Sequence, residues 1–253
     1  MKVLVLAAGR GTRLGSLTAS VPKPMLPVGN RPLLAHTIEW LKRHCVHKVA
    51  VNLHHAPEVI MDYFGDGRNA GVEIIYSYEE QLLGTAGAAK RLQWFLDEPF
   101  AVIYGDVLTN LDLTALAHYH QGHLAGTNSQ AMMTMSLYRV ADPTACGIVD
   151  TDAMGQITRF VEKPKSSEVF SNLANAGILL CEPALFDLIP PETEYDFGRD
   201  VLPSLINLGV PVFGRVIAEH EYVVDIGTPD GYERAQVQAQ ALPVAASDRR
   251  IAV

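Results

Sequence analysis

The feature that most constrains this chain is an apolar run near its start that leads directly into a glycine-rich loop. Val3 to Ala7 read as a buried strand, and the loop continues as LAAGRGTRL over residues 6–14. Open α/β sheets bind ligands where strands end at their carboxyl edge. Gly9 and Gly11 would let backbone N–H groups approach an anion closely. The pattern therefore predicts an anion-binding loop on an α/β sheet.

Two better-known glycine loops do not match this segment. A dinucleotide fingerprint needs a third glycine, but Leu14 stands at that position and Gly15 comes one place late. The strand expected at residues 48–53 also lacks the acidic residue that would bind a ribose. A Walker loop needs Gly-Lys-Ser/Thr after its spacers, which is absent. Taken alone, the loop is equally consistent with a tight turn between a strand and a helix.

A second segment adds fixed positive charge. SVPKPMLPV over residues 20–28 places Lys23 between Pro22 and Pro24, which restrict the backbone on both sides. A lysine on such a stiffened loop is a prepositioned cation, although a solvated lysine in a proline-rich connection would have the same sequence. Together with Arg13 in the glycine loop, it favours a polyphosphate ligand.

With these motifs the chain resembles the sugar-1-phosphate nucleotidyltransferases, also called nucleotide-sugar pyrophosphorylases. The resemblance covers roughly residues 1–235 and is closest to mannose-1-phosphate guanylyltransferases. Further segments follow in the family's order: LLGTAGAA (82–89), YGDVLTNLDL (104–113), FVEKP (160–164), NAGILL (175–180), DFGRDVLP (196–203) and VVDIGTPDGY (223–232).

The resemblance implies a nucleotide site in the first part of the chain. We expect Arg13 to bind the β- and γ-phosphates and Lys23 the α-phosphate, where negative charge grows during the reaction. The family uses the LGTAG loop near the base and ribose, with Gly84 and Gly87 allowing close stacking. The residues expected to bind the nucleotide are Leu6, Ala8, Gly9, Gly11, Thr12, Arg13, Gly84, Thr85 and Gly105.

The implied chemistry brings two anions together, so charge neutralisation should supply much of the catalysis. This predicts a divalent cation, Mg²⁺, held by carboxylates. Asp106 follows a buried strand and a glycine, and Asp225 follows an apolar pair. In the family the matching aspartates share Mg²⁺. A helix cap or a turn residue is the alternative for each. The expected catalytic residues are Arg13, Lys23 and Asp106.

A sugar-phosphate site is implied farther along the chain. The family assigns Lys163 to the sugar phosphate and Glu162 to sugar hydroxyls, and Asn175 and Gly177 match positions that contact the sugar. From the residues alone, Glu162 and Lys163 could equally form a solvated pair at the end of a hairpin.

Composition limits the partners and the compartment. The formal net charge of -8 argues against nucleic acid, which requires clustered Lys and Arg. Cys45, Cys146 and Cys181 are odd in number and far apart, which indicates reduced thiols in the cytoplasm. No apolar run reaches the length needed to span a membrane. The oligomeric state is left open, a homodimer included.

The predicted fold is α/β: a Rossmann-like mixed, mainly parallel sheet flanked by helices, with a strand-rich sugar-binding lobe. Strands alternate with helical patterns up to about residue 130, and strands predominate afterwards. We expect one domain over residues 1–240, with a nucleotide lobe at about 1–130, a sugar lobe at about 131–225, and a tail at 241–253. Asn30 and Thr85 are expected to cap helices. No hexapeptide repeats of a C-terminal left-handed β-helix follow.

The resemblance favours GTP and mannose 1-phosphate as substrates. A uridylyl- or thymidylyltransferase acting on glucose 1-phosphate or another sugar 1-phosphate is the alternative within the family. A non-catalytic regulatory homologue remains open, although retention of Arg13, Lys23, Asp106, Lys163 and Asp225 argues against it. A dinucleotide-dependent oxidoreductase is disfavoured by the missing third glycine.

Overall fold

The structure is a computed structural model that describes residues 1–9, 11–126 and 131–240. The expected tail at 241–253 lies outside these residues. The strands are β1 (Lys2–Leu6), β2 (Pro27–Val28), β3 (Arg31–Pro32), β4 (Lys48–Leu53), β5 (Glu73–Tyr78), β6 (Phe100–Tyr104), β7 (Val107–Thr109), β8 (Met133–Arg139), β9 (Gly147–Thr151), β10 (Ile157–Glu162), β11 (Leu173–Cys181), β12 (Val212–Val216) and β13 (Val223–Asp225). The α-helices are α1 (Leu33–Arg43), α2 (Pro57–Phe64), α3 (Gly84–Arg91), α4 (Leu113–Gly126), α5 (Leu202–Asn207) and α6 (Pro229–Gln240).

One large mixed sheet runs through both halves of the chain. Its main path has the order β10-β9-β11-β6-β1-β4-β5, with β8 paired to β11 and β12 paired to β8. The strands β6, β1, β4 and β5 are parallel, whereas β11 is antiparallel to β6, β8 and β9. The predicted mixed α/β sheet flanked by helices is therefore confirmed. Its four contiguous parallel strands come from the first half of the chain, and β12 is parallel to β8 in the second half.

Helices cover both faces of this sheet. Along β1, Val3 and Val5 join one core cluster and Leu4 joins the other, and all three are fully buried. This alternation follows from the two-residue period of a strand that is buried on both faces. Helix α1 packs on the Val3 side, and helices α3 and α5 pack on the Leu4 side.

The register of the parallel strands determines where the candidate site lies. Leu6 at the end of β1 pairs with Asn52 near the end of β4 and with Tyr104 at the end of β6. The loops that follow these strands therefore leave the sheet at one edge. Strands β13 and β7 form a separate antiparallel two-stranded sheet. Strand β7 follows Asp106 directly in the chain, and Asp225 of β13 pairs with Val107.

Two expected helix caps were wrong. Helix α1 begins after Pro32, so Asn30 does not occupy the capping position. Thr85 lies inside the first turn of α3, which follows Leu83, and its hydroxyl is bonded elsewhere. Helix α3 ends at Arg91, and residues 92–95 continue the chain as turns.

Within the described residues, no helix is both long enough and apolar enough to cross a bilayer. The same residues contain no left-handed β-helix.

Candidate functional site

Two adjoining cavities open at the carboxyl edge of the parallel strands. We call the first the glycine-loop cavity, with a volume of about 270 Å³. It is lined by Leu6, Ala7, Ala8, Gly9, Lys23, Pro24, Asn52, Glu79, Leu82, Gly84, Thr85, Tyr104, Asp106 and Glu194. Most of the residues expected to bind the nucleotide thus lie around one space.

We call the second the carboxylate cavity, with a volume of about 280 Å³. It is lined by Arg13, Tyr104, Asp106, Val107, Tyr138, Ala145, Cys146, Gly147, Glu162, Lys163, Asn175, Ala176, Gly177, Asp196, Val223 and Asp225. Tyr104 and Asp106 line both cavities. The structure therefore brings the residues expected for the sugar phosphate next to those expected for the nucleotide.

Four of the expected nucleotide-binding residues do not line the glycine-loop cavity, and three of these, Gly11, Thr12 and Gly105, do not line the carboxylate cavity either. Gly105 donates its N–H to the carbonyl of Leu6, and a Cβ at Gly105 would lie only 2.5 Å from that oxygen. This glycine is thus needed for the close approach of two parts of the chain. Arg13 also lies outside this cavity and lines the other one, next to Gly227 and Asp225.

Lys23 lies at the boundary between the two cavities. It begins a short 3-10 helix after Pro22, and its side chain is largely buried. Its Nζ donates to Asp106 Oδ2 at 2.8 Å. The ion pair holds the ammonium group at a defined point beside the glycine loop, as the proline-flanked segment indicated.

Asp106 and Asp225 are brought together by a strand pair that the sequence analysis did not identify. The N–H of Ile226 donates to the carbonyl of Asp106 at 2.9 Å, next to the pairing of β13 with β7. Burial raises the pKa of the Asp225 carboxyl, and the neighbouring charge of Asp106 raises it further. A cation bound beside the two carboxylates would relieve this repulsion between like charges.

The donor set around these carboxylates fits Mg²⁺. That ion is commonly bound by one or two carboxylates together with substrate phosphates, and less often by the protein alone. Among the described residues, no group of three or more His, Cys, Asp or Glu side chains is arranged to hold a metal. Asp106 and Asp225 would therefore hold the ion jointly with a bound phosphate.

Glu162 and Lys163 follow one another at the end of β10 and both side chains are exposed to the carboxylate cavity. Lys163 has a φ of 47°, which is uncommon for a residue other than glycine. Partial burial of the Glu162 carboxyl raises its pKa. The neighbouring charge of Lys163 lowers this pKa, and the charge of Asp196 raises it. On β11, two strands away in the sheet, Asn175 Oδ1 accepts the N–H of Gly177 at 2.8 Å.

The glycines of the LGTAG loop lie very close to the backbone of another segment of the protein. Gly84 has a φ of 69°, and a Cβ there would lie 2.5 Å from the carbonyl oxygen of Tyr195. A Cβ at Gly87 would lie 2.4 Å from the carbonyl oxygen of Thr193. The need for glycine at both positions is therefore explained by packing against the segment 193–195.

Sequence reasoning missed a buried network behind the glycine-loop cavity. Asn52 Oδ1 accepts the N–H of Ala7 at 2.7 Å, and Asn52 Nδ2 donates to Glu79 Oε1 at 2.8 Å. Glu79 Oε2 in turn accepts the N–H of Leu83 at 2.9 Å. Burial raises the pKa of the Glu79 carboxyl. The sequence signal for this network was the position of the two polar residues: Asn52 lies near the end of β4, and Glu79 follows the neighbouring strand β5.

Comparisons with known proteins identify the family of this chain. The model of a family described as "Nucleotidyl transferase" matches residues 2–241. The chain belongs to this family. It is 37% identical over 93% of its length to a UTP--glucose-1-phosphate uridylyltransferase from Synechocystis sp.. It is 35% identical over 91% of its length to a mannose-1-phosphate guanylyltransferase from Mycobacterium tuberculosis.

The chain spans 62% of the length of each of these two relatives. A solved structure of a putative glucose-1-phosphate thymidylyltransferase from Bacillus anthracis has the same fold, with a TM-score of 0.85 at 23% identity and 98% coverage of both chains. The structure of HddC from Yersinia pseudotuberculosis complexed with GMP-PN matches with a TM-score of 0.77 at 25% identity, covering 94% of this chain and 98% of that one.

Proposed function

We propose that this protein transfers a nucleotidyl group from a nucleoside triphosphate to a sugar 1-phosphate, releasing pyrophosphate and a nucleotide-sugar. The observation that carries the proposal is the junction of the two cavities at Asp106. One cavity offers a glycine loop and Lys23, and the other offers Lys163 with a set of carboxylates. Two substrates bound in these cavities would meet at their phosphates.

The reaction forms a bond from a phosphate oxygen of the sugar 1-phosphate to the α-phosphorus. The bond from that phosphorus to the bridging oxygen of the β-phosphate breaks, and pyrophosphate leaves with the electron pair. Lys23 neutralises the α-phosphate at the boundary, and Lys163 holds the attacking phosphate. Positioning and charge neutralisation are the main contributions that a protein makes to phosphoryl chemistry.

Arg13 is proposed to bind the β- and γ-phosphates from the side of Asp225, where its guanidinium lies against Gly227. The backbone around Gly9 is proposed to contact the same phosphates. When bound, Mg²⁺ would supply charge neutralisation for the triphosphate. Asp106 and Asp225 would hold it, and Lys23 would keep the Asp106 carboxylate in place through their ion pair.

GTP is the favoured nucleotide. Two acidic residues, Glu79 and Glu194, line the glycine-loop cavity. A carboxylate accepts hydrogen bonds, and guanine presents two adjacent donors, N1–H and the N2 amine. Uracil and thymine present a single ring donor flanked by carbonyl acceptors, which a carboxylate would repel. Glu194 is the acceptor proposed for these donors, because its side chain is exposed whereas Glu79 is fully buried and bonded to Asn52 and Leu83.

Mannose 1-phosphate is the favoured acceptor, supported by the similarity to the guanylyltransferase from Mycobacterium tuberculosis. Transfer of a uridylyl or thymidylyl group to glucose 1-phosphate or another sugar 1-phosphate is the alternative, supported by the relative from Synechocystis sp.. A non-catalytic regulatory homologue would bind substrates without turnover. The free thiols of Cys45, Cys146 and Cys181 support a cytoplasmic location.

The experiment that tests the proposal measures pyrophosphate release in the presence of Mg²⁺. GTP, UTP, dTTP, ATP and CTP are crossed with the 1-phosphates of mannose, glucose, N-acetylglucosamine and a heptose. We expect the largest rate with GTP and mannose 1-phosphate. A maximum at UTP or dTTP with glucose 1-phosphate would select the alternative. Binding of substrates without any turnover would identify a regulatory homologue.

A further inference from the structure

Glu221 is a buried carboxylate that lines neither cavity. The residue is 6% exposed and lies in the loop between β12 and β13. Its Oε1 accepts the N–H of Asp112 at 2.7 Å, and its Oε2 accepts the N–H of Ala218 at 2.6 Å. Arg215 of β12 donates from Nη1 to Oε2 at 3.2 Å. One carboxylate thus joins its own loop, strand β12 of the large sheet and the residue that precedes helix α4.

Two segments, residues 106–112 and 221–226, are hydrogen-bonded to each other along their length, and we call them the aspartate ladder. Next to the bonds of the buried carboxylate, the Thr109 hydroxyl donates to the carbonyl of Tyr222 at 2.7 Å. Strand β13 of the second segment then pairs with β7 of the first. At the other end, an N–H of the second segment donates to the carbonyl of Asp106 at 2.9 Å. The ladder therefore connects Glu221 to the site of the two aspartates.

The end of the ladder that faces the carboxylate cavity carries Asp106 and Asp225. Burial and the neighbouring charge of Asp106 both raise the pKa of Asp225, because the two carboxylates repel one another when both are ionised. Strands β7 and β13 have three residues each, and β13 is only partly buried. An isolated pair of strands is marginally stable in water. Attachment of the ladder at its other end would therefore help to keep the aspartates side by side.

Glu221 supplies such an attachment. It lies four positions before Asp225, about 13 Å along an extended chain, so it acts through the ladder and not by contact with a bound ion. Its side chain is 1% exposed and that of Arg215 is 18% exposed. Loss of one partner of a buried ion pair leaves the other charge without water or a counter-charge. Asn110, at the same end of the ladder, is exposed, so water can replace its hydrogen bonds.

We propose that Glu221, held by Arg215, positions Asp225 beside Asp106 and thereby sets the affinity of the protein for its divalent cation. Without this anchor the two strands separate more often, and the two carboxylates face the ion together for less of the time. Glu221 is a positioning residue, since it touches neither cavity. This inference rests on the proposed function, in which Asp106 and Asp225 hold Mg²⁺ together with the triphosphate.

The test uses two variants and a matched control. Glu221→Gln keeps the size of the side chain but removes the ion pair and turns one acceptor oxygen into a donor. Thr109→Val removes only a hydroxyl of the ladder, and it carries the same comparison if Glu221→Gln does not fold. Glu182→Gln is the control, because Glu182 is also a largely buried carboxylate, 3.1 Å from His120 Nε2, and it lines neither cavity. Thermal denaturation checks that each variant is folded.

The first measurement is amide hydrogen exchange at Ile226 in the protein without metal or nucleotide. Its N–H is bonded to the carbonyl of Asp106, so its exchange reports separation of the two strands. We expect exchange about tenfold faster in Glu221→Gln, a smaller increase in Thr109→Val and no change in Glu182→Gln. The amides of β4 are the internal reference and should exchange at the same rate in all four proteins.

The second measurement is the dissociation constant of Mn²⁺, followed by electron paramagnetic resonance, with the α,β-methylene analogue of GTP at saturation. The UTP analogue replaces it if the pyrophosphate assay selects UTP. The constant should rise about fivefold or more in Glu221→Gln, rise less in Thr109→Val and stay unchanged in Glu182→Gln. In an Asp225→Asn background, Glu221→Gln should weaken Mn²⁺ binding no further, because the carboxylate that it positions is already absent.

A general loss of stability would not depend on Asp225, so additive effects of the two substitutions on Mn²⁺ binding would overturn the inference. Unchanged exchange at Ile226 or unchanged Mn²⁺ binding in the ladder variants would overturn it as well, and so would an equal loss in Glu182→Gln. In each of these cases the proposed function stands. A wild-type protein that binds neither the nucleotide analogue nor Mn²⁺ would remove the proposed function together with the inference.

Discussion

The two cavities are built in different ways, although they share Asp106 and Tyr104. In the glycine-loop cavity, buried Asn52 and Glu79 bond to each other and to backbone N–H groups of the loops. In the carboxylate cavity, the charged side chains of Arg13, Glu162 and Lys163 are exposed. The first cavity is thus shaped by folding, whereas the second presents side chains whose partners would be supplied by a ligand.

The difference implies that substitutions in the two cavities should have different effects on stability and on ligand binding. Loss of a buried hydrogen-bonded group leaves its partners unsatisfied and costs stability as well as binding. Loss of an exposed charged group costs only the interaction with the ligand, because such groups contribute little to folding. Four predictions test this contrast, beginning with the group shared by both cavities.

The largest effect is expected at the boundary. Lys23→Ala and Asp106→Ala should each fold and lose turnover by roughly 10²–10³ or more, because each removes a preorganised charge at the reacting phosphate. Steady-state pyrophosphate release measures this loss. Lys42→Ala is the matched control, since Lys42 forms a 3.1 Å surface ion pair with Glu39 away from both cavities. Rates close to wild type in either boundary variant would refute the catalytic assignment.

Next in size is the effect of Asn52→Ala on the glycine-loop cavity. The change leaves the N–H of Ala7 without its acceptor and Glu79 Oε1 without its donor, at about 1–3 kcal/mol for each group. We expect a lower free energy of unfolding and a higher KM for the nucleotide, measured by urea denaturation and by kinetics.

The control for Asn52→Ala is Asn110→Ala. Asn110 is also bonded twice, to the carbonyl of His220 and the N–H of Tyr222, but it is exposed. Its loss should cost about 1 kcal/mol or less because water replaces the partners. Equal losses of stability in the two variants would contradict the contrast between the cavities.

A smaller and more selective effect is expected for Lys163→Ala. The KM for the sugar 1-phosphate should rise about tenfold with the loss of a charge-assisted contact, and the unfolding free energy and the KM for the nucleotide should hardly change. Lys165→Ala, an exposed lysine two residues farther along that lines neither cavity, should behave as wild type. A comparable rise in the nucleotide KM would mean that Lys163 serves both substrates.

The smallest effect is expected for Gly9→Ala. A Cβ at Gly9 would meet no atom within 4 Å, so folding should be unaffected. Because Gly9 lines the cavity, the added methyl group should weaken nucleotide binding by a few-fold, which a titration with the GTP analogue measures. Gly84→Ala should instead lower the melting temperature, since its Cβ would lie 2.5 Å from the carbonyl of Tyr195. A destabilised Gly9→Ala variant would show that this loop is as tightly packed as the LGTAG loop.

Much of the framework could be predicted from local pattern. Strand β6 coincides with the apolar run at residues 100–104, β4 covers the strand expected at residues 48–53, and the glycine loop follows β1 as expected. Local pattern was less informative for short elements. Strands β7 and β13 have three residues each, too few to show a period, and they exist because they pair with one another.

The amino-acid sequence by itself determined the fold class, the family and the identity of the charged groups, since each is expressed in residue type, spacing and order. Only the tertiary structure decided how those groups are partnered. Asp106 lies 119 positions before Asp225, and Asp112 lies 109 positions before Glu221. Contacts over such separations depend on strand register and loop packing, which no local pattern specifies. For this reason the ion pair of Lys23, the Asn52–Glu79 network and the bonds of Glu221 emerged only in three dimensions.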